Sequence, residues 1–105
     1  MPRVMAAVSI SPVGSGVSVS RYVAAALKVL RNQNRVAYQL GPMFTTLLGE
    51  ADEVFRLIRE MQEAVFREGA VRVSTVIKMD ERRDKDLTFE GKVQAVERHL
   101  KEEAP

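Results

Sequence analysis

The sequence predicts an α+β domain of the ferredoxin-like type. This is a βαββαβ sandwich with one antiparallel sheet, two main helices on one face and an added C-terminal helix. Three observations carry that expectation. The apolar period alternates between two residues and about 3.6 residues, in the order strand, helix, strand, strand, helix, strand, helix. The 105 residues suffice for one domain, 1–105, and leave little room for a second. Hydrophobic residues make up 46% and charged residues 29%, which suits a folding soluble domain rather than a disordered or membrane chain.

Arg3 to Ile10 alternates, with Val4, Ala6, Val8 and Ile10 on one side and Arg3, Met5, Ala7 and Ser9 on the other, as a strand with one apolar face does. Pro12, Gly14 and Gly16 end it, since proline lacks the amide a ladder needs and glycine permits a turn at positive φ. Ser18 is the expected N-cap of a helix carrying Val19, Val23, Ala26, Leu27 and Leu30 on its apolar stripe and Arg21, Lys28 and Arg31 toward water. The polar run Arg31 to Arg35 should end this helix.

Val36, Tyr38 and Leu40 alternate as a second strand, and Gly41-Pro42 turns it into a third, Met43 to Leu48, as an antiparallel neighbour. From Glu50 the period becomes helical through Val54, Leu57, Ile58, Met61 and Val65. Glu50, Asp52 and Glu53 suit its N-terminus and Gly69 its end. The fourth strand, Val71 to Asp80, sets Val71, Val73, Thr75, Ile77 and Met79 against Arg72, Ser74, Val76, Lys78 and Asp80. After a charged connection, Phe89, Val93, Val96 and Leu100 form the stripe of a last helix capped by Asp86 or Thr88, with Lys101 to Pro105 expected to fray. The second sheet face, with Arg3, Met5, Ala7, Ser9, Arg72, Ser74, Val76 and Lys78, is too polar for a core and too apolar for plain solvent, as faces that meet a subunit or ligand are.

Composition excludes several chemistries. No cysteine is present, which removes disulfides, thiolate nucleophiles and cysteine-ligated metals and suits a cytoplasmic location. Ser9, Ser11 and Pro12 interrupt the N-terminal apolar run before a signal-peptide core could complete, and no stretch approaches the roughly 18 apolar residues of a membrane span. A net charge of +2, from 16 basic and 14 acidic residues, gives no reason to expect nucleic acid as partner. The open-face side of the fourth strand, Arg72, Ser74, Val76 and Lys78, also lacks the rings on which RNA-recognition domains stack bases.

The stretch from Val8 to Tyr22 gathers main-chain donors and hydroxyls at one strand-to-helix junction and is the first place to expect a ligand. Gly14-Ser15-Gly16 does not make a dinucleotide loop, because GxGxxG would need glycine at Val19, and no GxxxxGK[ST] occurs. What remains is a plain turn or a pocket for a small polar molecule beside Ser9, Ser11, Ser18 or Ser20. His99, among Glu97, Arg98 and Lys101, is expected at the surface, and nothing places it near these serines for nucleophilic catalysis. Asp80, Asp84 and Asp86 lack the alternation of a calcium loop, and Arg82, Arg83 and Lys85 among them would oppose a cation, so an ion-paired turn is expected there. Lys78 and Asp80 share a strand face, as an ion pair or a ligand-orienting pair.

The blocks SISPVGSGVSVSRYVAAAL, YQLGPMFT, FREGAVRVSTVIKMDERRDK and EGKVQAV, in this order from Ser9 to Val96, resemble the MTH1187/YkoF-like family, also called UPF0045 or the thiamine-binding protein family. The resemblance implies a ferredoxin-like fold, assembly into dimers or tetramers through sheets, and binding of thiamine or its hydroxymethylpyrimidine portion without catalysis; no metal or cofactor is expected. It carries the family's strand-one serine onto Ser9, its helix start onto Ser18 and Ser20, its P-M-x-T block onto Pro42, Met43 and Thr45, and its R-V-x-T-x-I-K block onto Arg72, Val73, Thr75, Ile77 and Lys78. The expected ligand-binding set is thus Ser9, Ser11, Ser18, Ser20, Met43, Thr45, Arg72 and Lys78. Hydroxyls and main-chain groups can satisfy the ring nitrogens and amine of a pyrimidine, and Met43 can cover its face. Leu48-Gly49 and Gln62-Glu63-Ala64 depart from the Glu-Gly and His-Glu-Ala frequent in relatives. The alternative expectation is a structural or regulatory homo-oligomer with no small-molecule ligand.

Overall fold

The long alternating stretch near the N-terminus becomes β1 (Arg3–Pro12), the strand against which everything else is placed. The computed structural model describes residues 2–102. After β1 come α1 (Ser20–Arg31), β2 (Ala37–Leu40), β3 (Thr45–Glu50), α2 (Ala51–Arg67), β4 (Val73–Glu81) and α3 (Phe89–Glu102). The strands form one antiparallel sheet in the order β2-β3-β1-β4, the ferredoxin-like arrangement expected. Among the described residues no helix is long and apolar enough to cross a membrane.

Val4, Ala6, Val8 and Ile10 point from β1 into one core with Leu47 of β3, Tyr22, Ala26 and Leu30 of α1, and Val54, Leu57, Ile58, Met61 and Val65 of α2. Burying this set drives the fold, at about 1.5–3 kcal/mol for each large side chain. Tyr22, which is not among the expected stripe residues of α1, is buried as well. The link from α1 to β2 is stapled by Gln33, whose Nε2 donates to the carbonyls of Leu30 and Val36, both 2.9 Å away. Its Oε1 accepts the amides of Arg35 and Val36, also at 2.9 Å. Gly69, at φ +114°, ends α2 where a residue with a Cβ would be strained.

Several boundaries differ from expectation. The N-cap position of α1 is Val19, not Ser18, and no side chain caps it: the first turn closes on the Val19 carbonyl, which accepts the amides of Tyr22 and Val23 at 3.0 and 3.1 Å. The β2–β3 turn takes in Met43 and Phe44 as well as Gly41-Pro42, because Leu40 pairs with Thr45, so β3 starts and ends two residues later than read. Val71 and Arg72 precede β4 rather than begin it; Val71 is exposed, and the Arg72 carbonyl accepts the Val13 amide at 2.8 Å. Ile77 is 41% exposed although it alternates toward the core, since β4 is an edge strand with little helix above it. Thr88, one of the two expected caps, does cap α3, its Oγ1 accepting the Gly91 amide at 2.8 Å. The helix extends through Lys101 and Glu102, and the rest of the stretch expected to fray, residues 103–105, lies outside the described residues.

The opposite sheet face is partly covered. Register places Met5 beside Leu48 and Asp80, and Leu87 closes over Met5 and Leu48 with Phe89 against them. Beyond Phe89 no residue of α3 is buried, and Val93, Val96 and Leu100 are 58%, 60% and 62% exposed.

Candidate functional site

β1 is longer than its neighbour. Its pairing with β3 ends at Val8↔Thr45, whereas its pairing with β4 continues to Pro12↔Val73. Past Val8 the strand therefore has a partner on one side only. Pro12 is tolerated there because an unpaired edge asks for no amide donor. The gap on the other side is a cavity of about 200 Å³, walled by β1 from Val8 to Ser11, by the cap residue Val19 and by Val23, Ala26 and Leu27 of α1, by Leu40, Gly41, Pro42, Met43 and Thr45 of the hairpin, and by Met61 below. The hairpin tip is held close to itself: a Cβ on Gly41 would stand 2.4 Å from the Phe44 carbonyl oxygen, so glycine is required.

Among the described residues the wall contains no ionisable side chain. Its polar groups are hydroxyls and main chain. Thr45 is the buried polar residue of the core, 7% exposed and opposite Val8 on the helix-facing side of the sheet. Its hydroxyl makes no hydrogen bond among the described residues, and no buried polar side-chain atom there lacks a partner, so solvent reaches that hydroxyl from the cavity. Ser9 and Ser11 pair with Val76 and Ser74, which sets their side chains on the opposite face; they meet the cavity along the strand edge.

Of the eight expected contacts, Ser9, Ser11, Met43 and Thr45 line this cavity and Ser18, Ser20, Arg72 and Lys78 do not. Ser18 is exposed in the loop before α1, and Ser20 is exposed at the helix's first position. Lys78 is exposed on the open face opposite Ala7. It is not the partner of Asp80: that carboxylate accepts Lys92 Nζ at 2.5 Å, and the Lys92 hydrogen bond and charge, with Arg82 and Lys78 behind them, hold Asp80 below the usual carboxylate range. Val19, Val23 and Leu27, read as core, turn out to form one cavity wall; the sequence signal was their spacing of four, which core and pocket share.

The Gly14-Ser15-Gly16 loop beside the site is tied to α1 through Tyr22. Arg21 Nη2 donates to the Tyr22 hydroxyl at 2.8 Å and its guanidinium lies 4.7 Å from the ring centroid. That donation, with a further hydrogen bond from Ser15, lowers the Tyr22 pKa from its ordinary value.

Among larger depressions that are more open to solvent are two of about 580 and 550 Å³. The first is bordered by Arg82, which donates to Asp84 at 2.5 and 2.8 Å, and by Arg83, which donates to Glu81 at 2.5 Å, so both of these guanidiniums are already paired. This is the ion-paired turn expected from the sequence. The second lies between β2 and α3, beside the uncovered α3 stripe. His99 is at the surface, 80% exposed and 3.5 Å from Glu102.

Fold and cavity together describe a ferredoxin-like sandwich with an uncharged, partly open site at the free end of its central strand. The chain belongs to the thiamine-binding protein family, whose model matches residues 6–97. It is 42% identical over 100 residues to the UPF0045 protein YqgV of Bacillus subtilis, covering 91% of this chain and 96% of that one. The crystal structure of the hypothetical protein MJ1052 of Methanocaldococcus jannaschii superposes with a TM-score of 0.83 at 38% identity, over 91% of this chain and 97% of that one. A Thermotoga maritima protein described as a candidate for thiamine biosynthesis or salvage shares the fold, with a TM-score of 0.75 at 21% identity over 90% of this chain and 99% of that one.

Proposed function

We propose that this protein binds thiamine, or the hydroxymethylpyrimidine half of it, in the cavity at the end of β1, without transforming it. The observation that carries this reading is the Thr45 hydroxyl, without a partner among the described residues and reached from an uncharged, mostly apolar cavity, in a chain of the thiamine-binding family. A volume of about 200 Å³ is below the roughly 300–1,000 Å³ of sites for drug-sized ligands and suits a single ring. The pyrimidine therefore enters, and a thiazolium remains outside toward the hairpin tip. Met43, 81% exposed at the cavity mouth, covers the ring face as a flexible thioether can.

The same reading includes self-association. The α3 stripe of Val93, Val96 and Leu100 has no cover among the described residues, and a 14-residue helix without a packing partner is marginal in water. A second copy's open face, with Val76 and Ala7 exposed or half-buried beside Lys78, offers that cover. The alternative of an oligomer with no ligand rests on this stripe alone.

The deciding experiment is isothermal titration of ligand-stripped protein with thiamine, thiamine phosphate and hydroxymethylpyrimidine, with oligomer size followed by sedimentation. Saturable heat at a fixed stoichiometry per chain is expected. No heat with any of the three at millimolar concentration, from protein still oligomeric, refutes the binding reading and leaves the assembly alternative. A monomer at every concentration refutes the self-association.

A further inference from the structure

We infer that the recognition element of this site is the main chain of Ile10, whose N–H and C=O together read the edge of a neutral ring carrying an acceptor nitrogen beside an amino group. The inference rests on the binding reading above and specifies what that site selects. Its basis is the parity of β1. The Val13 amide bonds to the Arg72 carbonyl and the Ala51 amide to the Pro2 carbonyl, each continuing the sheet register by one pair. In an antiparallel strand the main-chain groups of successive residues point to opposite sides. Odd-numbered residues of β1 therefore bond to β4 and even-numbered residues to β3.

Ile10 is even, and its place in the β3 ladder would be opposite Met43, which lies in the hairpin loop instead. Its N–H and C=O consequently face the cavity, and neither has a hydrogen-bond partner among the described residues. The residue is only 6% exposed. A main-chain donor and acceptor aimed side by side into a mostly apolar cavity favour an occupant that pairs with both in place of solvent. The two groups lie side by side and point the same way. Their complement is an acceptor atom adjacent to an N–H donor on one rigid ring edge, the arrangement an aminopyrimidine presents.

The absence of ionisable side chains from the wall completes the specificity. A carboxylate, a phosphate or a cation placed inside would be desolvated without a counter-charge, which strongly disfavours it. The buried portion of the ligand is thus neutral, and charge is carried only by groups that stay outside the mouth. Thr45, on the adjacent hairpin strand, adds a third polar contact at another angle.

Two measurements on the intact protein test this: calorimetry and amide hydrogen exchange, with hydroxymethylpyrimidine and its analogue in which hydrogen replaces the amino group. In free protein the Ile10 amide should exchange faster than the Val8 amide, which is bonded to β3. Saturating hydroxymethylpyrimidine should slow Ile10 exchange at least tenfold and leave Ser9 and Ser11, already bonded to β4, unchanged. The deaminated analogue should bind at least tenfold more weakly, because it leaves the Ile10 carbonyl unpaired. If hydroxymethylpyrimidine binds while Ile10 exchanges as in free protein, and the analogue binds equally well, the inference is overturned and the binding reading stands. If neither compound gives heat, the binding reading falls with it.

Discussion

Replacing Thr45 by valine separates a binding hydroxyl from a structural one. Both residues are β-branched, so strand preference is nearly unchanged. The hydroxyl has no protein partner among the described residues, and at 7% exposure the residue sits between core and cavity. Its loss therefore breaks no internal hydrogen bond, and the new methyl adds apolar burial. The expected effect on stability lies between zero and a gain of about 1 kcal/mol, at most about 8 °C in Tm for a chain of this size. Binding should move the other way. One hydrogen bond to the ligand contributes about 0.5–1.5 kcal/mol net, so Thr45→Val should weaken affinity by roughly 2–13-fold. Thermal unfolding and calorimetric titration of the two proteins read these effects separately. A stability loss above about 1 kcal/mol would show that the hydroxyl is bonded within the protein, and unchanged affinity would show that the ligand does not touch it.

Three further perturbations probe the frame around the site. Leu47→Ala, at a fully buried position between β2 and β1, should cost roughly 2–5 kcal/mol, seen as a lower denaturant midpoint at unchanged slope; a cost below about 1 kcal/mol would contradict the packing. Thr88→Ala removes the α3 cap and should cost about 1 kcal/mol, appearing first as faster amide exchange at residues 89–92, because α3 has no buried residue to hold it; unchanged exchange would mean the cap is not formed in solution. Asp80 has a lowered pKa because Lys92 donates to it, so this pair favours the folded state above the unfolded value of about 3.9 and stops doing so as pH falls through the folded value. Lys92→Ala should move the Asp80 titration, followed by carboxylate NMR, up toward the ordinary range, and an unmoved titration would rule the pair out.

Much of the candidate site was legible in the chain, though not its geometry. Ser9, Ser11, Met43 and Thr45 do meet at one cavity, yet the face on which each side chain lies depends on register, and Ser9 and Thr45 prove to be on opposite faces. Ser18 was read as a cap from residue type alone, whereas the helix closes on Val19 because the loop delivers that carbonyl to the first turn. Lys78 was set beside Asp80 by spacing, but Lys92 reaches Asp80 from another element, a long-range contact that spacing along one strand does not encode.

By itself the sequence determined the kind and order of the elements, the core-facing residues of β1 and the stop at Gly69, because side-chain alternation, helical spacing and positive φ are properties of a few neighbouring residues. Only the tertiary structure decided that β1 outruns β3 by several residues. That mismatch is a property of two strands and the turn that sets their register. From it follow the cavity and the main chain of Ile10 left without a partner among the described residues, neither of which a single segment could reveal.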